Sequence, residues 1–150
     1  MNIKIQPADP LSSESQSLVD KLSSELATIT GDSGKTHFNA EELSDDRCVW
    51  AIARDEEGNA VGCGALRPLS QETAELKRMY SDRSVSGVGA ALLNYLETQA
   101  KGMGYSELKL STRIVNDRAV AFYQRHGYVK VENYGPYLAR NESICLAKKL

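Results

Sequence analysis

Apolar and polar residues alternate over residues 2–6, with Ile3 and Ile5 on one side, and the period then changes: Leu18, Leu22, Leu26 and Ile29 recur at three- and four-residue steps over 13–28. Alternation puts successive side chains on opposite faces of a strand, and a 3.6-residue period lines one face of a helix, so the chain opens strand then helix. A second, short helix is expected over 39–43. Residues 48–54, carrying Trp50 and Ile52, and residues 60–68 read as the two strands of a hairpin around Glu56-Glu57-Gly58-Asn59. A further strand follows at 74–80. There Ala74 and Leu76 alternate, and a skip to Met79 begins a second apolar face, which predicts an irregularity near Arg78.

Beyond it Val88, Leu92, Tyr95, Leu96 and Met103 return to helical spacing, and Lys101, Gly102 and Gly104 supply a basic last turn and a stop. Residues 107–112 alternate as a strand. Residues 116–128 read as a short helix capped by Asn116 or Asp117 and ended by Gly127, with Ala119, Phe122 and His126 as its core stripe and Tyr123 about a hundred degrees off it. A last strand spans 143–148. The order βααβββαβαβ is that of an α+β fold rather than a doubly wound sheet.

The join at 84–93 carries the first chemical signal. Ser84-Val85-Ser86-Gly87-Val88-Gly89-Ala90 leads from a strand directly into a helix. Glycines leave amides uncovered by any Cβ, and a helix start carries roughly half a positive charge, so a phosphate could dock there without a lysine. A helix entry that needs two glycines only for close packing reads the same way. Two better-known phosphate motifs do not match. Ala90-Ala91 stand where a P-loop places its lysine and hydroxyl residue, and Leu92 stands where the dinucleotide fingerprint needs a third small residue. Residues 30–37 resemble a P-loop by eye, but their glycines, Gly31 and Gly34, are three apart and no apolar strand precedes them, so they read as a flexible loop.

Three blocks in sequence, Glu75-Leu76-Lys77-Arg78-Met79-Tyr80, Gly87-Val88-Gly89-Ala90-Ala91-Leu92-Leu93, and Asn116-x-x-Ala119-x-x-Phe122-Tyr123-x-x-x-Gly127-Tyr128, resemble the GNAT family of N-acetyltransferases over residues 60–131. The resemblance implies a mixed sheet flanked by helices, whose fourth and fifth strands splay apart to admit acetyl-CoA as co-substrate. It implies that pantetheine amides pair with the backbone of Met79, Tyr80 and Ser81. It also implies that the pyrophosphate sits on Ser86, Gly87, Val88, Gly89 and Ala90, that Asn116 lies near the cofactor arm, and that Tyr123 faces the thioester sulfur. One feature departs from the family pattern. The arginine or glutamine usual three residues before the first glycine is Ser84 here, with Arg83 displaced by one, so either Arg83 or the hydroxyls of Ser84 and Ser86 would take its place.

An amine attacking a thioester needs a neutral nitrogen, a donor for the developing negative charge and a proton for the departing thiolate. A tyrosine, with an ordinary pKa of about 10, keeps its proton until the sulfur becomes basic, which makes Tyr123 the candidate acid. Glu75 is the candidate base, acting through water, with Glu72 nearer the solvent. The acceptor expected is a primary amine of a small molecule, an amino-acid-like compound or a peptide. The alternative is an acyl-CoA-binding sensor without turnover, or an α+β interaction domain. Tyr134, Tyr137 and Arg140 flank Gly135-Pro136, a turn that in this family borders the acceptor site; a surface turn with aromatic anchors fits equally.

Composition narrows the picture further. The 150 residues, 41% of them hydrophobic and undivided by any linker, suit one domain covering 1–150. A formal net charge of −2 offers no nucleic-acid footprint, and no apolar run reaches the length of a signal or membrane segment, so a cytoplasmic protein is expected. Cys48, Cys63 and Cys145 lack a CxxC pair and read as buried free thiols; His37 and His126 lack ligand spacing, so no metal is expected, and His126 reads as a helix C-terminal cap. A homodimer is compatible with the family.

Overall fold

A computed structural model describes residues 2–31 and 46–150. The expected helix at 39–43, His37 and most of the glycine-bearing loop at 30–37 lie outside the described residues. Along the rest run β1 (Lys4–Pro7), α1 (Ser13–Thr30), β2 (Val49–Arg54), β3 (Ala60–Pro68), β4 (Thr73–Ser81), α2 (Val88–Gly102), β5 (Glu107–Arg113), α3 (Asp117–Arg125), β6 (Val129–Val131) and β7 (Ser143–Lys149), with a 3-10 turn at Gly135–Tyr137. The described strands form one sheet in the order β1-β2-β3-β4-β5-β7-β6. Neighbours are antiparallel except β4 and β5, which run parallel.

Alternation along β2 sorts its side chains onto the two faces. Val49, Ala51 and Ala53 join the core under α2, whereas Trp50 and Ile52 pack with Leu18 and Val19 of α1. Ser12 caps α1 by accepting from the Ser15 amide at 3.1 Å, and the Trp50 indole N–H donates to the buried Ser15 hydroxyl at 2.8 Å. Leu18 and Leu22 face inward as expected. Ile29 is 41% exposed, close to the end of the helix at Gly31, whose φ is 78°.

On the other face α2 lies close against β3, and two glycines permit it. A Cβ on Gly62 would come within 2.5 Å of the Tyr80 carbonyl and 2.7 Å of Val88, and one on Gly64 within 2.6 Å of Met79 and 2.9 Å of Leu96. The buried stripe of α2 is Val88, Leu92, Leu93, Leu96 and Ala100.

The expected irregularity is present. Arg78 adopts φ 53°, and the β3–β4 register shifts between Cys63 and Ala65. This bulge changes which side chains share a face. Glu75 and Lys77 point to the α1 side, as cross-strand partners of Arg67 and Ala65; Arg78 joins them, its guanidinium 3.4 Å from the Ser23 hydroxyl of α1, while Met79 turns to Gly64 on the α2 side.

Beyond the bulge the sheet opens. Only three rungs join β4 to β5: Thr73 with Glu107, Ala74 with Leu108, and Glu75 with Lys109. On its other edge β5 stays paired with β7 along its whole length, from Glu107↔Lys149 to Arg113↔Ser143. Among the described residues, the β5-facing edge of β4 from Leu76 to Ser81 therefore has no strand against it. The sheet is an open, mixed one with three α-helices among the described residues, as the α+β expectation and its splayed central strands required.

Two readings of the C-terminal part need correction. β6 was not legible, because three residues with Val129 and Lys130 exposed carry no detectable alternation. In α3 the buried side chain is Tyr123, at 8% exposure, while Ala119, Phe122 and His126 are only partly covered. The helix meets the core at its tyrosine because Phe122 is diverted against Gly89 of α2, where a Cβ would stand 3.3 Å from the ring.

Candidate active site

Four groups of residues are candidates for a site at the gap between β4 and β5. The first is the start of α2. Gly87, at φ 87°, is its N-cap, no side chain among the described residues caps the helix, and the first intrahelical bond runs from the Ala91 amide to the Gly87 carbonyl at 3.0 Å. The amides of Val88, Gly89 and Ala90 precede that bond, so they form the donor-rich, electropositive end on which an anion can rest.

The preceding turn is arranged differently from expectation. Arg83, at φ 63°, pairs with Glu25 of α1 at 2.8 Å. Both the amide and the hydroxyl of Ser84 donate to Asp82 Oδ1, at 2.9 and 2.6 Å. Of the three groups offered as a substitute for the missing arginine or glutamine, only the exposed Ser86 hydroxyl has no partner among the described residues.

The second element is β4. Met79, Tyr80 and Ser81 are half-buried, paired through β3 on one edge (Cys63 with Tyr80, Gly62 with Ser81) and open toward β5 on the other. The third is α3. Asn116 is its N-cap, its side chain accepting from the Ala119 amide at 3.4 Å, so part of its hydrogen-bonding capacity is structural. The Tyr123 ring packs edge-on against Phe122 and Tyr128, with centroids 5.1 and 5.6 Å away. Its hydroxyl has no hydrogen-bond partner among the described residues, and burial raises its pKa well above the ordinary tyrosine value.

The fourth group surrounds Glu75, at the last rung before the strands part. This carboxylate is 1% exposed. One oxygen accepts from Arg67 Nε at 2.7 Å with Lys77 Nζ at 3.9 Å, and the other accepts from the Tyr134 hydroxyl at 2.6 Å. Burial first, then the Glu75 charge, raises the Tyr134 pKa, and the same two causes push Tyr137 up to about 12. Lys77 donates to the Tyr137 hydroxyl at 2.9 Å, and Lys109 holds its ammonium 5.5 Å from the Tyr134 ring centroid. Sequence reasoning found Glu75, Tyr134 and Tyr137 but missed Arg67, Lys77 and Lys109. Arg67 was within reach: a hairpin turning between β3 and β4 sets it directly opposite Glu75.

Other expectations fall outside this cluster. Glu72 is exposed. Cys63 and Cys145 are buried free thiols and Cys48 is half-buried, burial pushing the Cys63 thiol up to about 12. Among the described residues no group of three His, Cys, Asp or Glu side chains is placed to hold a metal, and no helix is long and apolar enough to cross a membrane. His126 is the C-cap of α3, as expected. An open groove of about 690 Å³ runs between α1 and Tyr80, lined by polar residues such as Ser17, Asp20 and Ser24.

A splayed parallel pair, a bulge before the opening and a glycine-capped helix beside it define the fold of an acyl-CoA N-acyltransferase. The model of the acetyltransferase (GNAT) family matches residues 16–128, and the chain belongs to that family. An IAA acetyltransferase of Azospirillum brasilense is 26% identical over 99% of both chains. Among solved structures, a Klebsiella pneumoniae protein assigned to the acyl-CoA N-acyltransferases superposes with a TM-score of 0.83, at 27% identity over 99% of this chain and 97% of that one. A GNAT acetyltransferase of Elizabethkingia anophelis with acetyl-CoA bound has the same fold, at a TM-score of 0.73 and 19% identity over 99% of each chain. Several other curated relatives are longer, and the chain spans about half of their length.

Proposed function

We propose that the 150-residue chain acts as one catalytic domain that transfers an acetyl group from acetyl-CoA to a primary amine by direct attack in a ternary complex, in the cytoplasm. The observation that carries this reading is a β4 edge with no described strand against it, opening just past the buried Glu75 carboxylate at the last rung, together with amides at the start of α2 that no described side chain caps. Tyr123 is assigned to the same opening as part of the proposal. These residues fit acetyl-CoA. The edge of β4 at Met79, Tyr80 and Ser81 suits the pantetheine amides. The amides of Val88, Gly89 and Ala90, with Ser86 beside them, suit the pyrophosphate. Arg83 and Ser84 would contribute only on leaving Glu25 and Asp82. Asn116 borders the arm from the start of α3.

Bound acetyl-CoA supplies an acyl carbon activated by its thioester. The chain's own groups handle two protons. One leaves the attacking nitrogen for Glu75 by way of the Tyr134 hydroxyl, which accepts it while passing its own proton to the carboxylate 2.6 Å away. The other goes from the Tyr123 hydroxyl to the sulfur as the C–S bond breaks and the C–N bond forms, and solvent returns the first proton to Tyr123. Burial makes Tyr123 a weaker acid than a solvated phenol, so it donates a hydrogen bond through most of the step and yields its proton late. Arg67 and Lys77 hold the Glu75 carboxylate in place.

The test is release of CoA thiol from acetyl-CoA in the presence of a panel of amines, with the N-acetyl product identified by mass. Amine-dependent release supports the reading. Binding of acetyl-CoA with no release from any amine would leave a sensor instead.

A further inference from the structure

In the acyl-transfer reading, on which this inference rests, the Tyr134 hydroxyl carries the amine's proton to Glu75 and must therefore stay within hydrogen-bond reach of that carboxylate. Tyr134 does not belong to the sheet. It lies in the connection between β6 and β7, residues 132–142, most of which are exposed. The regular structure there is the 3-10 turn Gly135–Tyr137, which no side chain among the described residues caps, and a turn so short has poor hydrogen-bond geometry of its own. Something else has to hold the loop in one shape.

Asn133 does so. Its side-chain Nδ2 donates to the carbonyls of Tyr137 and Arg140, both at 3.1 Å, and of Ser143 at 3.3 Å. Three carbonyl oxygens around one atom call for a donor, which fixes the orientation of the amide, and two N–H groups meet three acceptors only by sharing one. A single side chain thus ties the end of the turn, the Arg140 corner and the first residue of β7 together. The two tyrosines that bracket the turn then grip β4. The Tyr134 hydroxyl donates to Glu75 at 2.6 Å, the Tyr137 hydroxyl accepts from Lys77 at 2.9 Å, and the two rings meet edge-on with centroids 5.5 Å apart. We propose that Asn133 is a positioning residue for the acyl transfer: by clasping this loop it keeps the Tyr134 hydroxyl on Glu75, so that the proton path stands assembled before the amine arrives. Asn133 itself exchanges no proton. A hydroxyl at 133 would offer one donor and an apolar side chain none.

The test is a double-mutant cycle in the CoA-release assay with the wild type, Asn133→Ala, Tyr134→Phe and the double variant, and with Asn133→Gln as the conservative control. Asn133→Ala should fold, because the Tyr137 and Arg140 carbonyls keep the backbone amides of Arg140 and Ser143 as donors. Its kcat should fall by roughly tenfold to a hundredfold, the usual cost of a misplaced catalytic group, with KM for acetyl-CoA unchanged. Asn133→Gln keeps both donors and should recover part of the loss. In the Tyr134→Phe background Asn133→Ala should lower kcat little further, because both changes break one path. An unchanged kcat in Asn133→Ala, or an equal fall in both backgrounds, overturns the inference and leaves acyl transfer standing. Where no amine turns over, nitration by tetranitromethane, with the modified tyrosine located by peptide mass, decides. Faster nitration of Tyr134 in Asn133→Ala than in the wild type supports the clasp while acyl transfer fails, and equal rates overturn it.

Discussion

Replacing Tyr123 by phenylalanine removes one oxygen from a ring that is 8% exposed and leaves its edge-on contacts with Phe122 and Tyr128 in place. Because the hydroxyl bonds to nothing among the described residues, its loss breaks no internal hydrogen bond, and stability should change by no more than about 0.5 kcal/mol, a shift of roughly 1 to 2 °C for a chain of this size. Catalysis should respond very differently. A positioned acid is worth about 10²- to 10⁴-fold, and the raised pKa of Tyr123 weakens it as a proton donor, which argues for the lower end. A loss of about a hundredfold corresponds to about 2.7 kcal/mol of transition-state stabilisation. It should fall on kcat, with KM for acetyl-CoA nearly unchanged, because the hydroxyl meets the sulfur only as charge develops. Steady-state CoA release on a verified amine, paired with thermal melting of the same preparation, reads both quantities. Near wild-type kcat in a folded variant would refute the role given to Tyr123. A melting temperature lowered by many degrees would mean that the hydroxyl is structural.

Further outcomes follow from the packing and the charges. Gly62→Ala puts a methyl 2.5 Å from the Tyr80 carbonyl and should cost about 1 to 3 kcal/mol by overpacking, seen as a lower urea midpoint; an unchanged midpoint would contradict the close seating of α2 on β3. Asp82→Asn keeps an oxygen acceptor for Ser84 and removes a negative charge beside the proposed phosphate site, so acetyl-CoA should bind roughly three- to tenfold tighter at low salt, and less so at high salt. Unchanged affinity at all salt concentrations would move the phosphates away from this turn. Burial raises the pKa values of Tyr123, Tyr128, Tyr134 and Tyr137. The unfolded chain loses these protons above about pH 10 while the folded one keeps them, so stability should be level below pH 10 and fall as pH rises beyond it. Urea melts from pH 8 to 11.5 measure this, and a level profile throughout would mean that the hydroxyls are not buried.

Local signals carried much of the fold. The skip between Leu76 and Met79 announced the bulge at Arg78, and Asn116 and Gly127 marked both ends of α3. The glycine entry to α2 was legible too, although Gly87 and Gly89 serve different needs, a left-handed N-cap and room for Phe122. What the sequence hid is non-local. Tyr134 reaches Glu75 across 59 positions, and Lys109 becomes its neighbour only through a parallel pairing that no hairpin dictates. The rotation of α3 that buries Tyr123 depends on where Phe122 finds space on another helix, which helical periodicity within nine residues cannot reveal. The Asp82 carboxylate holds Ser84, a contact that no sequence pattern announced.

Titration with acetyl-CoA tests most directly the claim that the opening between β4 and β5, with the start of α2, receives the co-substrate. At a hundred times its dissociation constant the ligand should add about 2.7 kcal/mol of stability and raise the melting temperature by roughly 5 to 10 °C. Gly87→Val forces a branched residue into φ 87° at the helix entry and covers the amides there, so the variant should fold and lose most of that shift. No stabilisation of the wild type at millimolar acetyl-CoA would contradict the claim, and so would an equal shift in the folded variant.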